Sequence, residues 1–536
     1  LLSRYGDTSQ TSSLVCRQDC FYKMIKFIAD SKLNLSVRHF VKRVNAIEGN
    51  VNKGENVTES PMPFSEIPGP RSYPIIGTLH TYLPFIGDYN AETLDKNAWL
   101  NYRRYGSLVR EKPVVKLLHL FDPDDIETVF RQDDRYPARR SHVAMYHYRV
   151  NKPEVYNTGG LLATNGPDWW RLRSAFQKNF SSPQSVKGHI ENTDTVTKEF
   201  VQWIKEKRKS HDDDFLPFLN RLNLEVIGIV AFNERFNSFS PEEQDPESRS
   251  SKIITSAFGS NSGIMKLDKG FLWKLFRTPL YKKLAESQEY LEKVSKNILS
   301  KRVSLFEHES NELGKSLLGY FLNQPNLDLK DIVGMMVDIM MASVDTTAFS
   351  TSFALYHLAR NENVQEKLFK EVLTLLPTKD SPITAETLVM AVYVRSCIKE
   401  SLRLNPVAIG VGRLLQKDMV LRGYLIPEGT VIVTHNMVIS RLGQYMNDPL
   451  QFKPERWQRS SPQYQNIHPF LSLPFGFGPR SCIARRLAEQ NMSIILMRLI
   501  REFNVKWMSK KELGVRTHLL NKPDKSIALS FTSRPQ

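Results

Sequence analysis

The loop PFGFGPRSCIARR near the C-terminus presents Cys482 in a setting that favours metal ligation. Gly476 and Gly478 let the backbone turn tightly and approach a flat partner closely. The residues after the cysteine, from Ile483 onward, have helical periodicity. We therefore expect Cys482 at a helix N-terminus, where backbone N–H groups stabilise a thiolate. Such a thiolate is a strong axial ligand for haem iron, whereas the alternative is a small buried apolar residue.

The same loop resembles the haem-binding signature FxxGxRxCxG of the cytochrome P-450 family. Phe475, Gly478, Arg480 and Cys482 match this signature, and Ala484 stands in place of its final glycine. The resemblance implies a mainly α fold with a small β-rich region. It also implies haem b as the cofactor, with Cys482 on the iron and the other three matched residues around the haem, and O2 as a co-substrate of a monooxygenase.

The stretch ASVDTT places an acid beside an alcohol within an apolar segment. The pattern from about Leu329 to Arg360 predicts a long buried helix with Asp328 as its N-cap. A buried carboxylate is costly without a task, so Asp345 and Thr346 suit the transfer of protons to a bound oxygen species. The alternative is that both side chains bond to carbonyls of their own helix.

The family resemblance implies that Asp345 and Thr346 form the acid–alcohol pair that lies over the haem. Ser343 occupies the position where a glycine usually precedes that pair. We expect the substrate to contact Val344 on this helix. Ala408 and Ile409 fall in a second segment that lines the substrate pocket in the family.

Two motifs resemble the family's contacts to the haem propionates. Trp169 and Arg173 lie four residues apart on a helix that follows Gly166 and Pro167, so they share one face. Alone, such a pair is more often a surface cation–π contact. Arg413 matches a second arginine of the family that contacts a propionate.

A charged network is expected around Glu400. Glu400 and Arg403 lie one helical turn apart, and Arg456 follows in the segment FKPERW. An exposed pair of this kind contributes little to stability. In the family the corresponding three charges are buried together, and the resemblance therefore implies a buried network in which each charge needs a partner.

Composition restricts the class of partner. The chain has 536 residues, a net charge of +16 and only four cysteines, which argues against a secreted disulfide framework. A basic chain can bind nucleic acid, an anionic membrane or an acidic protein. No zinc-ligand spacing or basic–aromatic stripe indicates a nucleic-acid module. We expect no nucleic-acid partner, and we favour a membrane surface and an acidic protein.

The first sixty residues differ from the rest. Within them, residues 21–47 are basic, contain Asp30 as the single acid and have apolar residues at helical intervals, which is typical of a mitochondrial transit peptide. An ordinary surface helix or a disordered tail is the alternative. We predict a transit peptide and linker over residues 1–60 and a catalytic domain over residues 61–536. Its start carries a stiff proline-rich segment with Pro68, Gly69 and Pro70.

Basic residues near the cysteine loop and near Glu400 suggest a docking site for an electron-donating protein. Arg485 and Arg486 follow the cysteine loop, and Arg395 and Lys399 lie four residues apart beside Glu400. Opposite charges steer transient protein encounters. The resemblance implies docking of an acidic mitochondrial ferredoxin, supplied with electrons from NADPH by its reductase. A solvated basic face is the alternative.

A membrane contact is predicted between the long helices of the central region. Apolar residues interleaved with cations suit an interfacial contact, although a helix face packed on the core fits equally well. We expect a peripheral contact with the inner membrane from the matrix side. The apolar residues are Phe271, Leu272, Trp273, Leu275 and Phe276, and the cations are Lys269, Lys274 and Arg277.

Long stretches resemble the ecdysteroid 22-hydroxylases among the insect mitochondrial members of the family. They read IPGPRSYPIIGTLHTYLPFIGDYNAE, YPARRSH and YNTGGLLATNGPDWWRLRSAFQKNFSSPQS. This resemblance implies hydroxylation of a sterol-derived ecdysteroid precursor at carbon 22. The alternatives are another mitochondrial steroid or xenobiotic hydroxylase and a haem-binding protein without turnover.

Overall fold

A computed structural model describes residues 60–74, 76–83, 85–113, 115–207, 214–268, 270, 272–306 and 316–535. Residues 61–536 form one compact unit. The predicted transit peptide and linker, residues 1–60, lie outside the described residues except for Ser60.

Helices dominate the described ranges, so the predicted mainly α architecture is confirmed. They are α1 (Leu94–Tyr105), α2 (Pro123–Arg131), α3 (Val143–Val150), α4 (Gly160–Ala163), α5 (Gly166–Ser181), α6 (Pro183–Lys187), α7 (Ile190–Lys207), α8 (Leu216–Phe232), α9 (Arg249–Leu267), α10 (Leu272–Leu275), α11 (Pro279–Phe306), α12 (Leu317–Leu322), α13 (Leu329–Arg360), α14 (Glu362–Leu375), α15 (Ala385–Met390), α16 (Val392–Leu404), α17 (Asn436–Ile439) and α18 (Arg485–Glu502).

The long helix α13 runs through the core. Its N-cap is Asp328, whose carboxylate accepts a hydrogen bond from the backbone N–H of Asp331 at 2.9 Å. Both its bounds and its burial agree with the sequence prediction. Among the described residues it is the one helix long and apolar enough to cross a membrane, and 78% of its most apolar window is buried inside the protein. The helix therefore serves as the buried support on which the site is built.

The β-rich region is small, and its strands are distributed between the helices along the chain. The strands are β1 (Leu108–Glu111), β2 (Leu117–Leu120), β3 (Gly412–Leu414), β4 (Met419–Leu421), β5 (Tyr424–Ile426), β6 (Val431–Thr434), β7 (Phe503–Trp507), β8 (Val515–His518), β9 (Leu520–Pro523) and β10 (Leu529–Ser533). The main sheet has four strands in the order β1-β2-β6-β3, in which β2 and β6 are parallel and the other two pairs are antiparallel. Three two-stranded ladders, β4–β5, β7–β10 and β8–β9, complete the β-rich region.

Two apolar clusters hold these layers together. The larger cluster surrounds α13 and includes residues of α5, α8, α16 and α18. The smaller cluster lies on the main sheet and includes Phe130, Phe470 and Leu471. The loop that carries Cys482 contributes Phe475 to the edge of the first cluster and Phe477 to the edge of the second. Packing on both sides fixes the position of this loop.

Candidate active site

A cavity of about 360 Å³ brings the cysteine loop and the central helix together. Its lining comes mainly from α13, from α4, α5 and α18, from the cysteine loop at residues 474–476 and 480–484, and from residues 407–408 and 410–412. This volume lies within the range of about 300–1,000 Å³ that is usual for small-molecule sites. Most of the exposed lining is apolar, and polar side chains that include Arg139, Arg173 and Arg480 contribute the rest. The arrangement can therefore hold a large, mainly apolar ligand with a defined orientation.

Cys482 faces this cavity from a constrained loop. Its backbone N–H donates to the carbonyl of Phe475 at 2.8 Å, which closes the loop on itself. Gly476 and Gly478 have φ values of +73° and +67°, a region that glycine adopts without strain. The sequence correctly indicated a tight turn here, and the structure shows that it presents the sulfur to the cavity.

The predicted position of Cys482 at a helix N-terminus is wrong. Helix α18 begins at Arg485 and has Ala484 as its N-cap, so the cysteine precedes the cap by two residues. Burial raises the pKa of the Cys482 thiol, and the N–H of Ala484 and the charge of Arg173 counteract this only in part. The protein alone therefore favours the thiol, and a bound metal cation would have to displace the proton.

Arginines without anionic partners mark one part of the cavity. Arg139, Arg173 and Arg480 line it, and both Nε of Arg139 and Nη1 of Arg480 are buried without a hydrogen-bond partner. Burial, together with the charges of Arg139, Arg413 and Arg173, lowers the pKa of Arg480 to about 8. Burial likewise lowers the pKa of Arg139 to about 10. Orphaned donors on mutually repelling cations fit a ligand with carboxylates, such as the two propionates of haem.

Arg139 is a candidate haem contact that the sequence analysis did not single out. It lies in the stretch YPARRSH, which carried a resemblance but no motif with a known mechanism. Its position at the cavity depends on the extended segment between α2 and α3, which local patterns do not orient.

Trp169 and Arg173 both lie at the cavity, but they do not pair with each other. Arg173 donates from Nη1 to the carbonyl of Ser481 at 2.9 Å and from Nε to Gln177 at 2.8 Å. The ring of Trp169 lies under the guanidinium of Arg480, 3.9 Å from its centroid. The alternative of a surface cation–π pair is therefore wrong, because both residues are buried. They tie α5 to the cysteine loop.

Arg413 does not reach the cavity lining, in contrast to the expectation of a propionate contact. Its guanidinium bonds to the carboxylate of Asp133 at 2.8 Å and to the carbonyl of Phe477 at 2.8 Å. It also stacks on the ring of Phe130 at 4.7 Å. The guanidinium donors of Arg413 are thus bonded to other protein groups, and Arg413 supports the cysteine loop through its bond to Phe477.

The acid and the alcohol of α13 point in different directions. Thr346 lines the cavity and donates its hydroxyl to the carbonyl of Ala342 at 2.6 Å. Asp345 is 1% exposed and accepts a hydrogen bond from Nδ2 of Asn261 at 3.3 Å. Burial raises the pKa of Asp345 to about 7, against the opposing effects of Asn261 and Lys522. A carboxyl that titrates near neutral pH is suited to giving and taking protons.

Only one of the three predicted substrate-lining residues lines the cavity. Ala408 does, whereas Val344 and Ile409 do not. Val344 is fully buried in the core because successive helical residues are rotated by about 100°. The neighbours Ser343 and Thr347 face the cavity instead.

Glu400, Arg403 and Arg456 meet in a fully buried network. Arg403 donates two hydrogen bonds of 2.8 Å to the two carboxylate oxygens of Glu400, and Arg456 donates one of 2.9 Å. The indole of Trp457 adds a bond of 2.9 Å that the motif alone did not predict. Burial opposes ionisation, but Arg403 and Arg456 hold the pKa of Glu400 below its usual range. The network fixes α16 to the segment that follows α17.

The four predicted docking cations differ in their availability. Lys399 is exposed and stacks on Trp457 at 5.9 Å. Arg485 is 56% exposed beside Glu489, and Arg486 is exposed with one donor on the carbonyl of Ser181. Arg395 instead bonds to carbonyls at the end of α15.

Comparisons with known proteins agree with this geometry. The family model for cytochrome P-450 matches residues 67–531. The chain is similar to cytochrome P-450 302a1, mitochondrial, of Drosophila melanogaster, with 43% identity over 88% of this chain and 96% of that protein. It is also similar to cytochrome P-450 12b1, mitochondrial, of Drosophila acanthoptera, with 29% identity over 86% and 88% of the two chains.

Proposed function

We propose, since the chain belongs to the cytochrome P-450 family and is a monooxygenase of the mitochondrial type, that its substrate is a sterol-derived ecdysteroid precursor hydroxylated at carbon 22. One observation carries the site assignment. The same cavity contains a cysteine, arginines without anionic partners and a largely apolar wall. These are the groups needed to hold haem b beside an apolar substrate.

In this proposal the chain's own residues have separate tasks. Cys482 would ligate the iron, and Arg139, Arg173 and Arg480 would bind the propionates. When bound, the haem supplies the activation of O2. Asp345 holds a proton near neutral pH, and the hydroxyl of Thr346 lies at the cavity wall where a proton can be delivered.

The substrate assignment rests on the long stretches that resemble ecdysteroid 22-hydroxylases. Two of these stretches, residues 136–142 and 156–185, supply the cavity residues Arg139, Leu161, Leu162, Trp169 and Arg173. The resemblance is therefore located at the site and not only on the surface. An apolar wall of this kind accepts a sterol skeleton.

The redox partners in this proposal are a mitochondrial ferredoxin and its NADPH-dependent reductase. The exposed cations Lys399, Arg485 and Arg486 offer the positive charge that an acidic ferredoxin requires. Arg395 contributes less, because its donors bond to the carbonyls of Leu388 and Val389.

Peripheral contact with the matrix side of the inner membrane is part of the same proposal. Leu272, Leu275 and Phe276 are 58%, 67% and 69% exposed, which supports an interfacial patch. Trp273 is a correction to the predicted patch, since it is buried and its indole donates to the carbonyl of Leu267 at 2.8 Å. Phe271 and Lys269 lie outside the described residues.

The test uses the haem-loaded enzyme without residues 1–60. It is incubated with a 22-deoxy ecdysteroid precursor, NADPH, ferredoxin and ferredoxin reductase, and the product is identified by mass spectrometry and NMR. We expect an alcohol at carbon 22 that disappears when ferredoxin is omitted. Cys482→Ala removes the iron ligand, and Cys397→Ala is the matched control because Cys397 is buried in the core.

The result that would overturn the substrate proposal is the absence of any product from enzyme with intact thiolate-bound haem. A product oxidised at another carbon would contradict hydroxylation at carbon 22 and would favour the alternative of another steroid hydroxylase. Consumption of NADPH without oxidised product would favour the haem-binding protein without turnover.

A further inference from the structure

A buried ion pair beside the cavity has no role in the site described above. Nη1 of Arg149, at the end of α3, lies 2.7 Å from Oδ1 of Asp338 on α13. Arg149 is fully buried and Asp338 is 3% exposed. Burial opposes the charge of Arg149, but the carboxylate of Asp338 raises the pKa of that guanidinium above its usual value. Removing two charges from water is costly, so a buried ion pair requires further hydrogen bonds to both charged groups.

Those bonds converge on one short segment. Oδ2 of Asp338 accepts hydrogen bonds from the backbone N–H of Leu161 at 2.9 Å and of Leu162 at 3.4 Å. Nη1 of Arg149 donates to the carbonyl of Gly159 at 3.2 Å. The two charged groups therefore hold consecutive backbone groups on both sides of Gly160, at the start of α4. Charge-assisted hydrogen bonds are the stronger kind.

The segment held in this way is part of the cavity wall. Leu161 and Leu162 line the cavity, together with Asp338 and its neighbour Ile339. Gly160 has a φ of +83°, and a side chain at this position would overlap the guanidinium of Arg149. The close approach of the backbone to the ion pair thus requires glycine here.

The pair is also bonded to a neighbouring long helix. Nη2 of Arg149 donates to Gln288 on α11 at 3.3 Å, and Nε2 of Gln288 donates to Ser260 on α9 at 2.9 Å. The guanidinium lies 5.2 Å from the ring centroid of Tyr156. One buried pair therefore connects α3, α4, α11 and α13, of which only α13 carries the predicted catalytic residues.

We infer that the Arg149–Asp338 pair is a specificity-determining clamp, which fixes Leu161 and Leu162 as a rigid wall and thereby selects the substrate carbon that is oxidised. This inference rests on the proposed function for the identity of the substrate. Arg149 and Asp338 act through α4 and are positioning residues. Loss of either charge releases the wall, and a sterol side chain then samples more than one position.

Two variants and one control test the clamp in haem-bound enzyme. Asp338→Asn removes one charge. The double variant Arg149→Met with Asp338→Leu replaces both charges by apolar groups of similar size, a change that buried ion pairs tolerate. Asp194→Asn is the control, because Asp194 and Arg498 form another buried ion pair, with bonds of 2.6 and 2.7 Å, away from the cavity lining.

The first measurement is hydrogen–deuterium exchange without substrate. In both clamp variants we expect the amides of Leu161 and Leu162 to exchange about tenfold faster or more, because local opening no longer breaks charge-assisted bonds. The control should leave these amides unchanged. Unchanged exchange in both clamp variants would overturn the inference.

The second measurement is the product distribution from the sterol substrate. Wild type and the Asp194→Asn control should give one alcohol, whereas the clamp variants should give at least two. A single, unchanged alcohol from variants with faster exchange would refute the claim that the wall selects the carbon. Absence of product from wild type would refute the proposed function alone, because the exchange measurement decides the clamp without substrate.

Discussion

The substitution Asp345→Asn should stabilise the protein at alkaline pH. Burial raises the pKa of Asp345 from 3.8 to about 7. At about 1.4 kcal/mol per pKa unit, ionising this carboxyl in the folded state costs about 4 kcal/mol. The contribution of the protonated Asp345 carboxyl to the free energy of unfolding is fully present below about pH 4. It is lost as the pH rises toward 7 and is absent above that. Asparagine has the same shape and stays neutral throughout.

The free energy of unfolding, measured by urea titration with circular dichroism, should therefore separate the two proteins as the pH rises. Asp345→Asn should exceed wild type by roughly 1–2 kcal/mol at pH 5 and by about 4 kcal/mol at pH 8. Asp194→Asn is the control and should be destabilised, because it leaves Arg498 buried without its anion. A difference for Asp345→Asn that does not change with pH, or that has the opposite sign, would refute the reasoning.

The substitution Asp345→Asn also tests whether Asp345 takes part in proton transfer. If Asp345 supplies protons, its asparagine variant should form product roughly a hundredfold more slowly at pH 7, with unchanged haem content. A more stable protein with lower turnover is the expected combination. Unchanged turnover would remove Asp345 from the proposed proton path.

Three further changes test other parts of the site. Glu400→Gln should lower the free energy of unfolding by about 3–5 kcal/mol, because it leaves Arg403 and Arg456 uncompensated, and thermal unfolding with haem absorbance measures this. Arg139→Gln should speed haem transfer to apomyoglobin about tenfold through loss of a charge-assisted bond, and an unchanged rate would contradict a propionate contact. Lys399→Glu should raise the KM for ferredoxin several-fold at low salt, and this difference should shrink as ionic strength rises.

Local sequence patterns were sufficient for the elements that carry the chemistry. Helix α13 was predicted with its bounds and its cap because its apolar run is long and Asp328 precedes it directly. The glycines of the cysteine loop indicated the tight turn, because their freedom at positive φ is a property of the residue itself. Periodicity also predicted α16 and the helix after the cysteine loop.

Sequence reasoning failed where a side chain's direction or partner depends on distant segments. Arg413 was expected at the haem, yet Asp133, 280 residues away in the chain, binds its guanidinium. Val344 and Ser343 are neighbours in sequence, but the packing of α13 buries the first and turns the second to the cavity. Trp273 was named in the predicted membrane contact, for which a helix face packed on the core was the alternative, and its indole is bonded inside.

The sequence by itself determined the candidate ligand cysteine, the family and the mainly α class, because these follow from residue type, short spacing and periodicity. Only the tertiary structure decided which arginines remain without anions, which face of α13 meets the cavity, and that Arg149 meets Asp338. The physical reason is that burial and pairing set these properties, and both depend on contacts between residues far apart in the chain.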